Sequence, residues 1–488
     1  MSFMNNLSRQ ALNRNVLSTL RTQSRGLATT SNSTLRSSSI RTGLAALNSS
    51  KTVGSSLLAR RFISETSVRS DGGLNDPPED GIHPEMPSAM HLQPPPAPGT
   101  DFNVAMVGAG NIMFGSDEGP WNHSFRFEHK LGPRLKVVAL IDPAVARAEA
   151  VLAGKRASFV ESAYRDTVVY KTVEEFREAM TPEKEPHAIV VGSPPAYRGG
   201  VKAPRDLELR LLKLFPNSSY FIEKPVSCGP VPEAMELTQA LVDSGNIISV
   251  GYMLRYLRCV QKMKQIIATN NLTVMGTIAR YACAYEAIAK PAWWNKAIDM
   301  GPVIEQGDRD LDLSRYFGGD VDITSVQAHS VEWDEAPGQL SRVPVDESKI
   351  AEELRIPRMT SATWKYKNGA IGSFVHAVAL QGTAYSCELE VICDGFQMRL
   401  VDPYNAPVLY LRRPGDDIEE RHAVSLAWSF FSEVSNFVDC IEGGPDPHIL
   451  SSFEDATKTY ELTWAIRRAS EASSAQRVQR EAAERVLE

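Results

Sequence analysis

The chain has 488 residues and a formal net charge of −7, long enough for two domains plus extensions. That acidic balance lacks the basic face a nucleic-acid binder carries, and no apolar run reaches the ~18 residues that mark a membrane-spanning helix. Neither nucleic acid nor a membrane is therefore expected as a partner. The six cysteines (Cys228, Cys259, Cys283, Cys387, Cys393, Cys440) contain no Cys-x-x-Cys pair, so free thiols in a reducing compartment and no metal site are expected.

Residues 1–70 are rich in Ser, Thr, Asn and Arg, with Glu65 as their one acid. Arg9, Arg14, Arg21 and Arg25 interleave with Leu7, Leu12, Val16, Leu17 and Leu20, a basic amphipathic pattern that predicts a mitochondrial transit peptide. A mitochondrial (matrix) location is favoured; the alternative is a disordered tail on a cytoplasmic protein. Residues 71–100 carry eight prolines, from Pro77 to Pro98, and predict an extended linker.

Residues 101–226 predict a dinucleotide-binding domain. Val104 to Val107 is an apolar run followed at once by Gly108-Ala109-Gly110. It reads as a buried strand turning into a helix, with Asn111 and Ile112 in the first helical turn. Gly108 supplies turn geometry. Gly110 lets main chain approach a pyrophosphate held on the helix-start N–H groups. Met113 stands where the third small residue of G-x-G-x-x-G belongs, so the motif is partial, and a plain turn is the alternative. A second run, Lys136 to Ile141, ends in Asp142. An acid there holds the ribose hydroxyls of NAD; the alternative is a helix N-cap before Pro143. The cofactor is NAD or NADP, with NAD favoured because Asp142 repels a 2′-phosphate, although Arg147 lies one turn on. The spacing exceeds the usual ~20 residues, and Gly115 to Pro133, with His123 and His129, reads as an inserted loop near the cofactor.

Further buried strands follow. His187 to Val191 stops at Gly192-Ser193-Pro194-Pro195, which puts Ser193 and Pro194 at the carboxyl edge where open α/β sheets bind ligands. Ser219 to Ile222 ends in Glu223-Lys224-Pro225.

A strand ending in Glu-Lys-Pro after a dinucleotide-binding half resembles the Gfo/Idh/MocA oxidoreductases, named for glucose-fructose oxidoreductase and inositol dehydrogenase. Gly251 to Tyr256, Gly301 to Tyr316, Ser435 to Asp439 and Ser452 to Asp455 match the family in order, so the resemblance spans about Phe102 to Ala469. It implies an α/β fold: a Rossmann domain, then (227–475) an α/β substrate and dimerisation domain with a large open, mostly antiparallel sheet, and a tail at 476–488. Alternating runs such as Ser361 to Tyr366 and Ser386 to Cys393, with turns at Asn368-Gly369 and Asp394-Gly395, support that sheet independently.

The resemblance places Lys224 beside the nicotinamide, where a lysine can bond a substrate hydroxyl and relay its proton; Glu223 and Lys224 then border the cofactor. The alternative is a surface lysine paired with Glu223. The family's Asp-x-Gly-x-His is here Glu305-Gln-Gly-Asp-Arg309. Glu305 can replace the acid, but Arg309 stays charged and cannot shuttle protons. Arg309 either clamps an anionic or polyhydroxylated substrate or pairs with Glu305 at i,i+4, and Asp312 can join that face. Trp293-Trp294 reads as a sugar-stacking wall or as core. The expected activity is NAD(P)-dependent hydride transfer to or from a sugar, cyclitol, uronate or related polyol, by a homodimer or tetramer. The alternative is a dinucleotide-binding regulator of the same fold without turnover.

Overall fold

The computed structural model describes residues 69–70, 99–115, 121–424, 427–444 and 448–487. The transit-peptide and linker expectations fall almost wholly outside these residues. From that region only Arg69–Ser70 (β1) and residues 99–100 are described.

Six strands, β2 (Phe102–Val107), β3 (Leu135–Ile141), β4 (Val168–Tyr170), β5 (Ala188–Val191), β6 (Ser219–Ile222) and β7 (Ile248–Val250), form one sheet in the order β4-β3-β2-β5-β6-β7. Every pairing is parallel. Helices cover both faces of such a sheet, so its strands read as unbroken apolar runs; all of Phe102–Val107 is buried. The strand order reverses between β2 and β5, and the crevice at that switch point is where this fold binds ligands. Because β7 is the sixth strand, the parallel sheet runs past residue 226, where the sequence reading closed the domain. The Gly115 to Pro133 stretch is not merely a loop: it contains the helix His123–Leu131.

The second sheet joins β1 to β8 (Val274–Ala284), β9 (Val321–Val331), β10 (Met359–Tyr366), β11 (Ile371–Leu380), β12 (Ser386–Cys393), β13 (Phe396–Val401), β14 (Val408–Arg412) and β15 (Glu420–Ala423). Its order is β1-β15-β14-β13-β12-β8-β11-β10-β9. Only β8–β11 and β1–β15 pair in parallel. Burial alternates along the strands: Ala362, Trp364 and Tyr366 of β10 point into the core while Ser361, Thr363 and Lys365 face out. The outer face is of mixed character, combining the exposed Ile278, Met359 and Ile371 with ionic pairs such as Arg280–Glu388 (3.3 Å).

The presumed C-terminal tail is instead the end of one helix, Phe453–Leu487. On the parallel-sheet side, its Thr457 hydroxyl meets that of Thr238 at 2.7 Å. On the other side its Ser473 meets His329 of β9 at 2.7 Å, and Arg467 donates to the Met300 carbonyl at 2.8 Å. Among the described residues no helix is long and apolar enough to cross a membrane.

Candidate active site

The glycine turn forms as read. Gly108 has φ 103°, and a Cβ there would press on the Ser193 nitrogen at 3.0 Å. The loops after β2 and β5 thus touch across the switch point. Met113, in the place of the third glycine, is buried. Gly192 makes room for it, since a Cβ on Gly192 would sit 3.1 Å from the Met113 methyl. A Cβ on Gly110 would meet nothing within 4 Å, while Asn111 is exposed and Ile112 half-buried at the start of the short helix Asn111–Phe114. The Ser193 hydroxyl is buried without a hydrogen-bond partner, and Pro194 follows it into a 3-10 turn. Open space above Gly110, helix-start N–H groups and an unsatisfied hydroxyl opposite fit a dinucleotide phosphate.

Asp142 is buried at the end of β3. Its carboxylate accepts from the Ala109 N–H and the Ala144 N–H, each at 2.7 Å, and from the Arg147 guanidinium at 2.7 and 2.9 Å. Burial alone would raise its pKa, but these three donors outweigh it and hold the carboxyl below its ordinary value. The N-cap alternative is not realised: the helix Val145–Arg156 is capped at Ala144 without a side-chain hydrogen bond, and the Asp142 carboxylate instead ties down the glycine turn through Ala109.

A residue the sequence reading missed joins the two loops. Arg198 is buried, and its guanidinium donates to the carbonyls of Ser193 (2.8 Å), Pro225 (2.8 Å), Val226 (3.4 Å) and Lys224 (3.4 Å). The strand ends carrying Ser193 and Lys224 are thereby held as one piece. Nearby Glu208 accepts from the Gly199 N–H at 2.9 Å, and burial pushes its pKa up to about 7.

Lys224 is not a surface residue paired with Glu223. Its side chain is 8% exposed, the bond to Pro225 is cis, and Nζ donates to the Glu305 carbonyl at 2.7 Å. Glu305 Oε1 lies 3.8 Å away and Asp308 Oδ1 3.7 Å away. Glu223 turns elsewhere: Oε2 accepts the Lys224 N–H at 3.1 Å and Oε1 lies 2.6 Å from His123 Nε2. Burial works against the Glu223 carboxylate, but the His123 hydrogen bond and the nearby positive charges keep its pKa low.

Glu305 and Arg309 do not share a helix face. The chain forms two helices, Pro302–Glu305 and Asp308–Gly318, broken around Gly307. A Cβ on Gly307 would stand 2.7 Å from the Phe374 ring and 2.9 Å from the Val303 carbonyl, so glycine lets the helices lie against β11. No ion pair joins Glu305 to Arg309 among the described residues. The Arg309 guanidinium stacks over Trp121 at 5.2 Å, and its Nε lacks a hydrogen-bond partner. Asp312 pairs with the buried Arg255 at 2.6 Å, which also contacts Asp455, so both are structural. Trp293 and Trp294 are core residues, though the Trp293 indole donates to Glu305 at 3.3 Å.

Three groups lay hidden from the sequence. Asp308 is 1% exposed, and neither carboxyl oxygen has a hydrogen-bond partner. Asp310 accepts from the Tyr404 hydroxyl at 3.0 Å, and burial pushes its pKa up to about 7. His376 on β11 bonds Gln306 at 3.0 Å and stacks on Tyr281 at 5.2 Å; burial depresses its pKa to about 3, so it is neutral.

Comparison with known proteins agrees with this fold. Residues 102–252 match the Gfo/Idh/MocA model, described as an oxidoreductase family with an NAD-binding Rossmann fold. Residues 255–396 match an oxidoreductase C-terminal domain. The chain is 45% identical over 388 residues to uncharacterized protein UNK4.17 of Schizosaccharomyces pombe, covering 79% of this chain and 95% of that one. Among solved structures, a myo-inositol dehydrogenase from Corynebacterium glutamicum matches with TM-score 0.54 and 15% identity, covering 76% of this chain and 97% of the other. The WlbA dehydrogenase from Chromobacterium violaceum, in complex with NADH and UDP-GlcNAcA, matches with TM-score 0.56 and 14% identity, covering 78% and 97%. At such identities the likeness carries the fold.

Proposed function

The chain belongs to the Gfo/Idh/MocA oxidoreductase family and has its NAD-binding Rossmann fold, and on that premise we propose that it oxidises or reduces a sugar, cyclitol, uronate or related polyol with NAD(P). The observation that carries this reading is the buried Lys224 between the dinucleotide crevice and the helices bearing Glu305 and Arg309. Gly108, Gly110, Asn111, Ile112, Asp142, Ser193, Pro194, Glu223 and Lys224 would border the cofactor, which when bound supplies hydride chemistry. Lys224 bonds the reacting hydroxyl and relays its proton. Glu305 orients Lys224 through its carbonyl. Arg309, with no carboxylate partner among the described residues and an aromatic backing, binds an anionic or polyhydroxylated end of the substrate. A panel of sugars, inositols and uronates with NAD and NADP, followed at the reduced-cofactor absorbance, tests this. Lys224→Met should lower kcat by roughly 10²-fold or more with cofactor affinity intact; unchanged turnover would remove Lys224 from the role.

One feature favours a second reading. Arg309 replaces the imidazole that the family resemblance leads one to expect, so a dinucleotide-binding regulator is the outcome if NAD(P) binds and nothing turns over. We further propose a mitochondrial location, which the N-terminal sequence of protein isolated from cells would test, and self-association through the outer sheet face, which a monodisperse monomer at micromolar concentration would refute.

A further inference from the structure

Oxidation of a carbinol releases a proton along with the hydride, and the proton needs an acceptor that changes charge near neutral pH. A guanidinium at position 309 keeps its proton throughout. Among the described residues two imidazoles lie nearby, and both are committed. His123 is bonded to Glu223, and His376 is a neutral group bonded to Gln306. Asp308 is not committed. Its side chain is buried, both oxygens lack hydrogen-bond partners, and Oδ1 is 3.7 Å from Lys224 Nζ. That gap is too long for a hydrogen bond and short enough for a rotamer adjustment to close. A buried acid with open oxygens calls for an explanation, and functional sites are where such groups cluster.

We propose that Asp308 is the terminal acceptor of the substrate hydroxyl proton, reached through Lys224. The proposal rests on the oxidoreductase reading above. In the oxidation the carbinol C–H bond breaks with its electron pair leaving as hydride to the oxidised nicotinamide. The O–H bond breaks and the C=O bond forms. The hydroxyl proton passes to Lys224 Nζ as an ammonium proton passes to Asp308 Oδ1. Lys224 begins and ends as an ammonium, and Asp308 goes from carboxylate to carboxylic acid. Reduction runs the same transfers backwards. The charge environment supports this. Burial raises the Asp308 pKa, Lys224 and Arg309 oppose the rise, and Glu305 and Asp312 add to it, leaving the group at about 7. Asp310 and Tyr252 face the same charge.

Asp308→Asn keeps the shape and removes the titration. With a polyol that the wild type oxidises, the wild-type rate should fall as pH drops through about 7, because the carboxylate needed as acceptor becomes protonated. Asp308→Asn should lose that acid limb, lower kcat by roughly 10²-fold, and bind NADH as the wild type does. Infrared difference spectra should show carboxylic-acid carbonyl intensity titrating over the same range, with one band lost in Asp308→Asn while the intensity due to Asp310 and Glu208 persists. A variant that keeps the acid limb and most of the kcat, or one that loses no band, overturns the assignment. If Asp308→Asn does not fold, Asp308→Glu must move the limb and the band together. If the wild type binds NADH yet oxidises no polyol, the function proposal fails, and the proton acceptor falls with it.

Discussion

Gly307→Ala tests whether the close seating of the two short helices on β11 fixes the site. The backbone at Gly307 is ordinary (φ −70°), so the substitution carries no conformational strain, and as the N-cap residue it gains nothing from alanine's helix preference. The added methyl, however, would stand 2.7 Å from the Phe374 ring. Phe374 is 0% exposed and cannot swing away. Reaching ordinary contact at 3.4 Å requires the helix to withdraw by about 0.7 Å, an overpacking that costs roughly 1–3 kcal/mol. The steric term is unopposed, and the expected net loss is the same, about 1–3 kcal/mol. It should appear as a lower urea midpoint at unchanged m-value. The same withdrawal carries Asp308 and Arg309 away from Lys224. A misplacement approaching 1 Å costs up to about 10²-fold in rate, so kcat should drop about tenfold or more. If Gly307→Ala matches the wild type in both urea midpoint and kcat, the close approach does not set the geometry. A stability loss with unchanged kcat would separate the fold argument from the catalytic one.

Three further outcomes are expected. Arg309→Ala should act mainly on KM, and a variant that changes kcat alone in steady-state kinetics would end the clamp assignment; Arg309→His should be tolerated or broaden the substrate range. By calorimetry NAD should bind more tightly than NADP. Asp142→Ala should narrow that gap, whereas Arg147→Ala, which strips the carboxylate of its counter-charge, should widen it. The Glu208 pKa is raised from 4.5 to about 7 in the folded chain. Its stabilising contribution is therefore full below the unfolded value and is lost as pH rises through about 7, a swing of up to about 3 kcal/mol. Glu208→Gln should flatten that part of the stability–pH curve in urea titrations, and an unchanged slope would show that the buried acid is not the cause.

The parts of the site that were legible are those written in local sequence. Ser219–Ile222 and Ser386–Cys393 fall where their apolar patterns put them, and Gly108 takes the positive φ its turn demands. Lys224 lay at the end of a strand that composition alone could find. What could not be read depended on packing between distant segments. His123 reaches Glu223 across 100 residues, and nothing near either predicts the meeting. The signal for Gly192 was its place opposite Met113, visible only once strand β5 lies beside β2. Asp308 looks in sequence like one more charge on a solvated helix, Asp-Arg-Asp-Leu-Asp, and only the approach of that helix to the sheet buries it. The supposed Glu305–Arg309 face failed because i,i+4 spacing was counted across Gly307, where the helix breaks.

The helix Phe453–Leu487 sets how the cleft can work. At 1.5 Å per residue it is about 50 Å long, and it is pinned to the parallel-sheet domain through Thr457 and to the second sheet through Ser473. A rod fastened to both sheets' sides, at Thr457 and again at Ser473, resists a hinge motion of one against the other. Substrate discrimination is then expected to rest on the shape and charge of a standing pocket more than on a closing motion of the induced-fit kind. Water must be kept from the hydride path by the bound substrate and cofactor themselves. Entry and departure should accordingly be limited by diffusion and local side-chain motion, with no slow opening step in the kinetics.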